Sequence, residues 1–133
     1  MYDEDLPEEE HDVEFEISFC EKLVKNNPNF LPALRLLGDL YTKKGMFDKG
    51  LHVDEHLSLL QPNDPFVYYN LACSYSLLNQ TDKAFRSIKL AIKCGYRDFD
   101  YLKQDNDLTN LRNDYRFRRY FLRVLKRVKQ EAH

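Results

Sequence analysis

Apolar residues in the middle of the chain recur at helical steps of three and four rather than alternating. Leu34, Leu37 and Tyr41 fall on one stripe, which predicts a first helix over about residues 31 to 44. Gly45 is placed to end it with a left-handed cap. A second helix over about residues 47 to 60 follows, with Gly50, Asp54 and Leu57 turned toward the first. Pro62, Asn63 and Asp64 stop that helix and start the next, because proline restricts its predecessor and Asn or Asp caps a helix start.

The pattern then returns after an offset of 34. Leu34 meets Tyr68, Leu37 meets Leu71, Gly38 meets Ala72, Tyr41 meets Tyr75, Gly50 meets Ala84, Leu57 meets Ala91, and Pro28 with Asn29 meets Pro62 with Asn63. The pairs keep size class as well as polarity. Asn79 stands where Gly45 stands, and Asn is the usual second choice for a left-handed cap. The unit is helix, turn, helix, turn. Val13, Phe15, Ile17, Cys20, Leu23 and Val24 fit a second helix that lacks its first.

Leu37–Gly38, Tyr41, Gly45, Phe47, Gly50, Leu57 and Pro62, followed by Tyr68, Leu71–Ala72, Tyr75, Ala84 and Ala91, resemble the tetratricopeptide repeat pattern. Four positions depart from it: Gly50 replaces the usual Ala, Asp54 is polar at an apolar site, Thr81 replaces an aromatic, and Tyr96 replaces the closing proline. The stretch from Gly95 to Phe117 resembles a closing element that follows such repeats in bacterial proteins. Asp105 and Asn113 or Asp114 are its candidate caps, for a short helix at 107 to 112 and a longer one at 115 to 130.

The resemblance implies an all-α fold, a right-handed superhelical array of antiparallel helix hairpins. The expected division is an acidic, disordered tail at 1–10 and one domain at 11–133: a half-repeat cap at 11–29, repeats at 31–64 and 65–98, and capping helices at 99–133.

Composition sharpens this picture. The chain of 133 residues is 43% hydrophobic, enough for one core without metal or disulfide staples. The N-terminus is acidic where a secretion signal is basic and then apolar, and three unpaired cysteines fit reduced thiols, so a cytoplasmic location is expected. The net charge of −2 hides segregation: residues 1 to 16 hold nine acids and no Lys or Arg, while residues 112 to 133 hold eight Lys or Arg against two acids. The two ends are set to attract each other or different partners.

Nothing in the sequence composes a reaction centre. The four glycines are explained by helix packing or helix ends, and neither a phosphate loop, a serine elbow nor a Cys-x-x-Cys is present. His52 and His56 share one helical face and could share a metal, but no third ligand accompanies them. An enzyme is not expected, nor is a cofactor or a metal. What remains is surface. In the family resembled, the first helices of successive units line a concave face where partners dock, which makes Arg35, Asp39, Lys43, Phe66, Tyr69, Asn70, Cys73 and Leu77 the candidate partner-binding residues. Asp39 sits where a carboxylate-clamp donor is wanted, so a groove for a helix or extended segment of a partner protein is the favoured reading. Tyr68 and Tyr75 are expected in the core. Two alternatives stay open: nucleic-acid binding through the basic last helix, and self-assembly through repeat ends. The plainer account of that helix is a solvated outer face.

Overall fold

A computed structural model describes residues 8–132, with side chains from residue 12. Eight α-helices and one 3-10 turn make up the described residues, and no strand occurs among them. They run α1 (Glu8–Asn26), α2 (Leu31–Lys43), α3 (Phe47–Leu60), α4 (Pro65–Leu77), α5 (Thr81–Lys93), α6 (Phe99–Gln104), the 3-10 turn (Asn106–Leu108), α7 (Thr109–Arg112) and α8 (Tyr115–Glu131). The acidic stretch up to residue 7 lies outside the described residues. Glu8, Glu9 and Glu10, which the sequence assigned to the tail, lie in the first turn of α1.

Each helix packs on the next: α1 on α2, α2 on α3, α3 on α4, α4 on α5. The result is an array of antiparallel hairpins with the single helix α1 packed at its start. Three helix ends close in the same way. At α2, Gly45 N–H donates to Thr42 O and Met46 N–H to Tyr41 O; at α4, Asn79 donates to Ser76 O and Gln80 to Tyr75 O; at α5, Gly95 donates to Ile92 O and Tyr96 to Ala91 O. The pivot residue of each has a positive φ, 81° at Gly45, 59° at Asn79 and 116° at Gly95. Asn79 alone carries a Cβ there. Asn79→Gly is expected to raise stability by a few tenths to ~1 kcal/mol, read as a higher urea midpoint at unchanged slope.

The core has two parts. Val13, Ile17 and Cys20 of α1 pack with Leu34, Leu37, Tyr41, Val53 and Leu57. Ala72, Ala84, Ile88, Leu102, Leu108, Leu111 and Phe117 build the other, which joins the second hairpin to the closing element. Tyr68 and Tyr75, expected in the core, are only partly buried against it, and the Tyr68 hydroxyl donates to Pro62 O at 2.7 Å. Between the two parts sits a buried carboxylate. Ser74 Oγ of α4 donates to Asp54 Oδ2 of α3 at 2.6 Å. Gly38 makes room for it, since a Cβ there would stand 3.0 Å from Asp54 Oδ1.

The segment after α5 docks on α4 through polar as well as apolar contacts. Leu111 N–H donates to Ser76 Oγ at 3.1 Å and Asn110 Nδ2 to Ser76 O at 2.8 Å. Asp105 and Asp114 are the caps, accepting from Asp107 N and Arg116 N; Asn113 is not. No helix among the described residues is long and apolar enough to cross a membrane.

Candidate functional site

The first helices of the two hairpins, α2 and α4, present one face to a cleft of about 570 Å³, and α6 and the 3-10 turn form its far wall. Asp39 and Lys43 come from α2, and Phe66, Tyr69, Asn70 and Cys73 from α4, where helical spacing puts them on one side. Six of the eight residues singled out in the sequence therefore line the cleft. Arg35 does not, because its guanidinium donates to Asp64 Oδ2 at 3.1 Å at the start of α4. Leu77 does not either; it is half-buried in the last turn of α4, the part of that helix against which α7 docks through Ser76.

The far wall was not foreseen. It supplies Tyr96, Asp98, Tyr101, Asp105 and Asp107. The aspartates clustered between residues 98 and 107 are the only hint of it in the sequence. That the closing element folds back over α4 is a tertiary fact, visible in the contact between α4 and the 3-10 turn.

One side of the cleft is a row of four aromatic rings. Tyr69 and Tyr96 stack at 4.5 Å in the middle, Phe66 meets Tyr96 edge-on at 6.0 Å, and Tyr101 lies tilted 6.0 Å from Tyr69. The middle rings are core: Tyr69 is 5% exposed, so this residue contributes an edge rather than a face. The end rings are open, Phe66 at 62% and Tyr101 at 56%. The Tyr69 hydroxyl donates to Asp105 Oδ2 at 2.7 Å, which ties the far wall to α4.

Five aspartates, at 39, 54, 98, 105 and 107, stand in the cleft against one lysine, Lys43. Their field is registered by the neighbouring groups. Tyr101 is pushed up first by the Asp105 charge and then by burial, and the Tyr96 hydroxyl is raised to about 12 mainly by burial. Partial withdrawal from water raises Asp39, and burial followed by the Asp105 charge raises Asp107. Burial lifts the Cys73 thiol well above its usual range, and the Asp105 and Asp107 charges lift it further. It stays protonated at neutral pH, where a thiolate would be needed for nucleophilic or redox chemistry.

Cys73, Asp105 and Asp107 offer atoms within 4.8 Å of one another, close enough to consider a metal. The donor set fits poorly, because both oxygens of Asp105 already accept, Oδ2 from Tyr69 and Oδ1 from the Asp107 N–H. The histidine pair of α3 borders a separate, more apolar groove of about 660 Å³ between α1, α2 and α3. There His56 Nε2 contacts Asn29 Oδ1 at 2.9 Å and Pro28 O at 3.2 Å, which fastens the α1–α2 turn.

Comparison with known proteins follows the geometry. Residues 56–86 match the family model described as Tetratricopeptide repeat. Over 80 residues, 58% of this chain, it is 35% identical to a chloroplastic protein of Arabidopsis thaliana, of whose length the match spans 24%. Among solved structures it is similar to MamA 41-end from Desulfovibrio magneticus RS-1, with a TM-score of 0.66 and 19% identity over 92% of this chain and 70% of that one. The last likeness is one of fold.

Proposed function

We propose that this chain, which is built of tetratricopeptide repeats, is a scaffold or adaptor that binds an extended segment of a partner protein in the cleft between α2, α4 and the closing element. The observation that carries the reading is the pair of open rings, Phe66 and Tyr101, at the ends of an aromatic row whose middle is locked in the core. Rings held in place before binding lose little entropy on contact, which is why such residues dominate peptide recognition. A cleft of this size takes a few side chains rather than a whole helix.

The cleft supports binding over catalysis. Its thiol is held neutral by burial and by the Asp105 and Asp107 charges, which does not suit it to act as a nucleophile. The basic last helix supports the nucleic-acid alternative less well, because several of its cations have structural work. Arg116 pairs with Asp82 and Asp114, and Arg118 donates to the carbonyls of Arg112 and Asn113; Arg112, just before that helix in α7, donates to Leu102 O.

The test is quantitative capture of partners by the wild-type chain and by two variants. Phe66→Ala with Tyr101→Ala should lose the specific prey by about tenfold or more, as expected when aromatic anchors are truncated. Leu59→Ala, at an exposed position on α3 outside the cleft, should retain it. Equal loss in both, or in neither, removes the cleft from consideration.

A further inference from the structure

We propose that the segment held in the cleft presents an arginine, whose guanidinium lies against the aromatic row and pairs with Asp39 and Asp107. The inference rests on the binding reading above and gives its ligand a chemistry. Three observations lead to it.

The first is charge. Four aspartates besides the proton-holding Asp54, against one lysine, make the cleft negative in a chain whose overall net charge is only −2, so the acidity is local to this surface. An anionic or carboxylate-terminated ligand is repelled there, and a cationic one is drawn in and oriented.

The second is which carboxylates are still able to act. Asp54 accepts from Ser74, Asp98 from the Tyr101 backbone, and Asp105 from Tyr69 and from the Asp107 backbone. Among the described residues no donor reaches the Asp39 or Asp107 side chain, and both are raised by partial burial. Two carboxylates without a donor, Asp39 exposed on α2 and Asp107 half-buried on the far wall, are the arrangement a ligand cation would satisfy.

The third is the aromatic wall. Phe66 and Tyr101 are exposed rings in the lining of the same cleft as these carboxylates. A flat guanidinium stacks on such rings while its N–H fork meets carboxylates, a combination that the compact, strongly hydrated lysine ammonium does not match. Arg35, the one arginine of α2, is held outside by Asp64, so the chain does not fill the place itself from that helix.

The experiment is selection of random heptapeptides displayed on phage against the immobilised full chain at low salt, followed by fluorescence anisotropy with the best binder carrying fluorescein. Enrichment of arginine, above lysine, is expected. The labelled peptide should bind about tenfold or more weakly to Asp39→Asn with Asp107→Asn, and its affinity should fall as salt is raised. Circular dichroism reports whether each variant is folded, and Asp39→Asn alone, on the exposed face of α2, serves if the pair is not.

Enrichment of acidic or apolar peptides, or of none, overturns the proposal. So does an arginine peptide that binds the Asn variants as tightly as the wild type. If that peptide still loses affinity with Phe66→Ala and Tyr101→Ala, the cleft stands as a binding site and only the cationic chemistry falls. If it ignores those as well, the cleft falls too. Salt-sensitive self-association of the chain, lost in the same Asn variants, would put its own basic last helix in the cleft and overturn a partner protein as the occupant.

Discussion

Replacing Phe117 by alanine is expected to lower the unfolding free energy by about 3–5 kcal/mol, the range for deleting a fully enclosed aromatic ring. Phe117 is 1% exposed, stacks on Phe121 at 5.4 Å and meets Phe85 of α5 edge-on at 6.1 Å. It therefore joins α8 to the second hairpin. Leu102, Leu108 and Leu111 close over the same core and cannot collapse into the space without breaking their own contacts. Urea denaturation should show the midpoint falling at constant slope, while Leu122→Ala, 64% exposed on the same helix, should stay within ~0.5 kcal/mol of wild type. Similar losses in both would mean that α8 does not dock as described. Because the far wall shares its core with Phe117 through Leu102 and Leu108, the Phe117 variant should also bind its partner more weakly at temperatures near its own unfolding midpoint.

Asp54→Asn is expected to remove most of the pH dependence of stability between pH 5 and pH 8. Burial raises Asp54 to about 7, the Ser74 hydrogen bond opposes that shift, and the Asp39 charge adds to it. The folded chain thus holds a proton that the unfolded chain, with an ordinary carboxylate, has released. The stability this group gives is complete below about pH 4 and is lost as pH rises through 7, for a fall of roughly 2–3 kcal/mol between pH 5 and pH 8. Asparagine keeps an oxygen to accept from Ser74 and carries no charge. The variant should match wild type at pH 5 and exceed it at pH 8 by that amount in chemical denaturation. A slope that survives the substitution would assign the effect to other groups. The position corresponds to Ile88 one repeat later, which is fully buried and apolar, so the array itself does not call for a carboxylate at Asp54. Its place between the two hairpins and on the cleft makes the join between them sensitive to pH.

The sequence by itself determined the repeat and its punctuation. Local rules suffice for that: a stripe at steps of three and four makes a helix, and a residue tolerant of positive φ ends it, as Gly45 and Asn79 both do. The second helix of the first hairpin runs over Phe47–Leu60, the span read from Gly50, Asp54 and Leu57. Half of the cleft was legible from the resemblance together with helical spacing, since Asp39, Lys43, Phe66, Asn70 and Cys73 lie on the sides of α2 and α4 that line it.

Only the tertiary structure decided the other half. Neighbouring tyrosines at 68 and 69 look alike to a periodicity argument, yet Tyr69 is buried because Tyr96 stacks on it and Asp105 takes its hydroxyl. Arg35 looked available until Asp64, across the hairpin boundary, held it. The negative far wall is built by a closing element that comes back over α4 through contacts distant in the chain. Spacing along a sequence encodes what lies on one helix; it carries no record of which later segment will fold against it, because that is settled by burial of Leu102, Leu108 and Leu111 in a shared core.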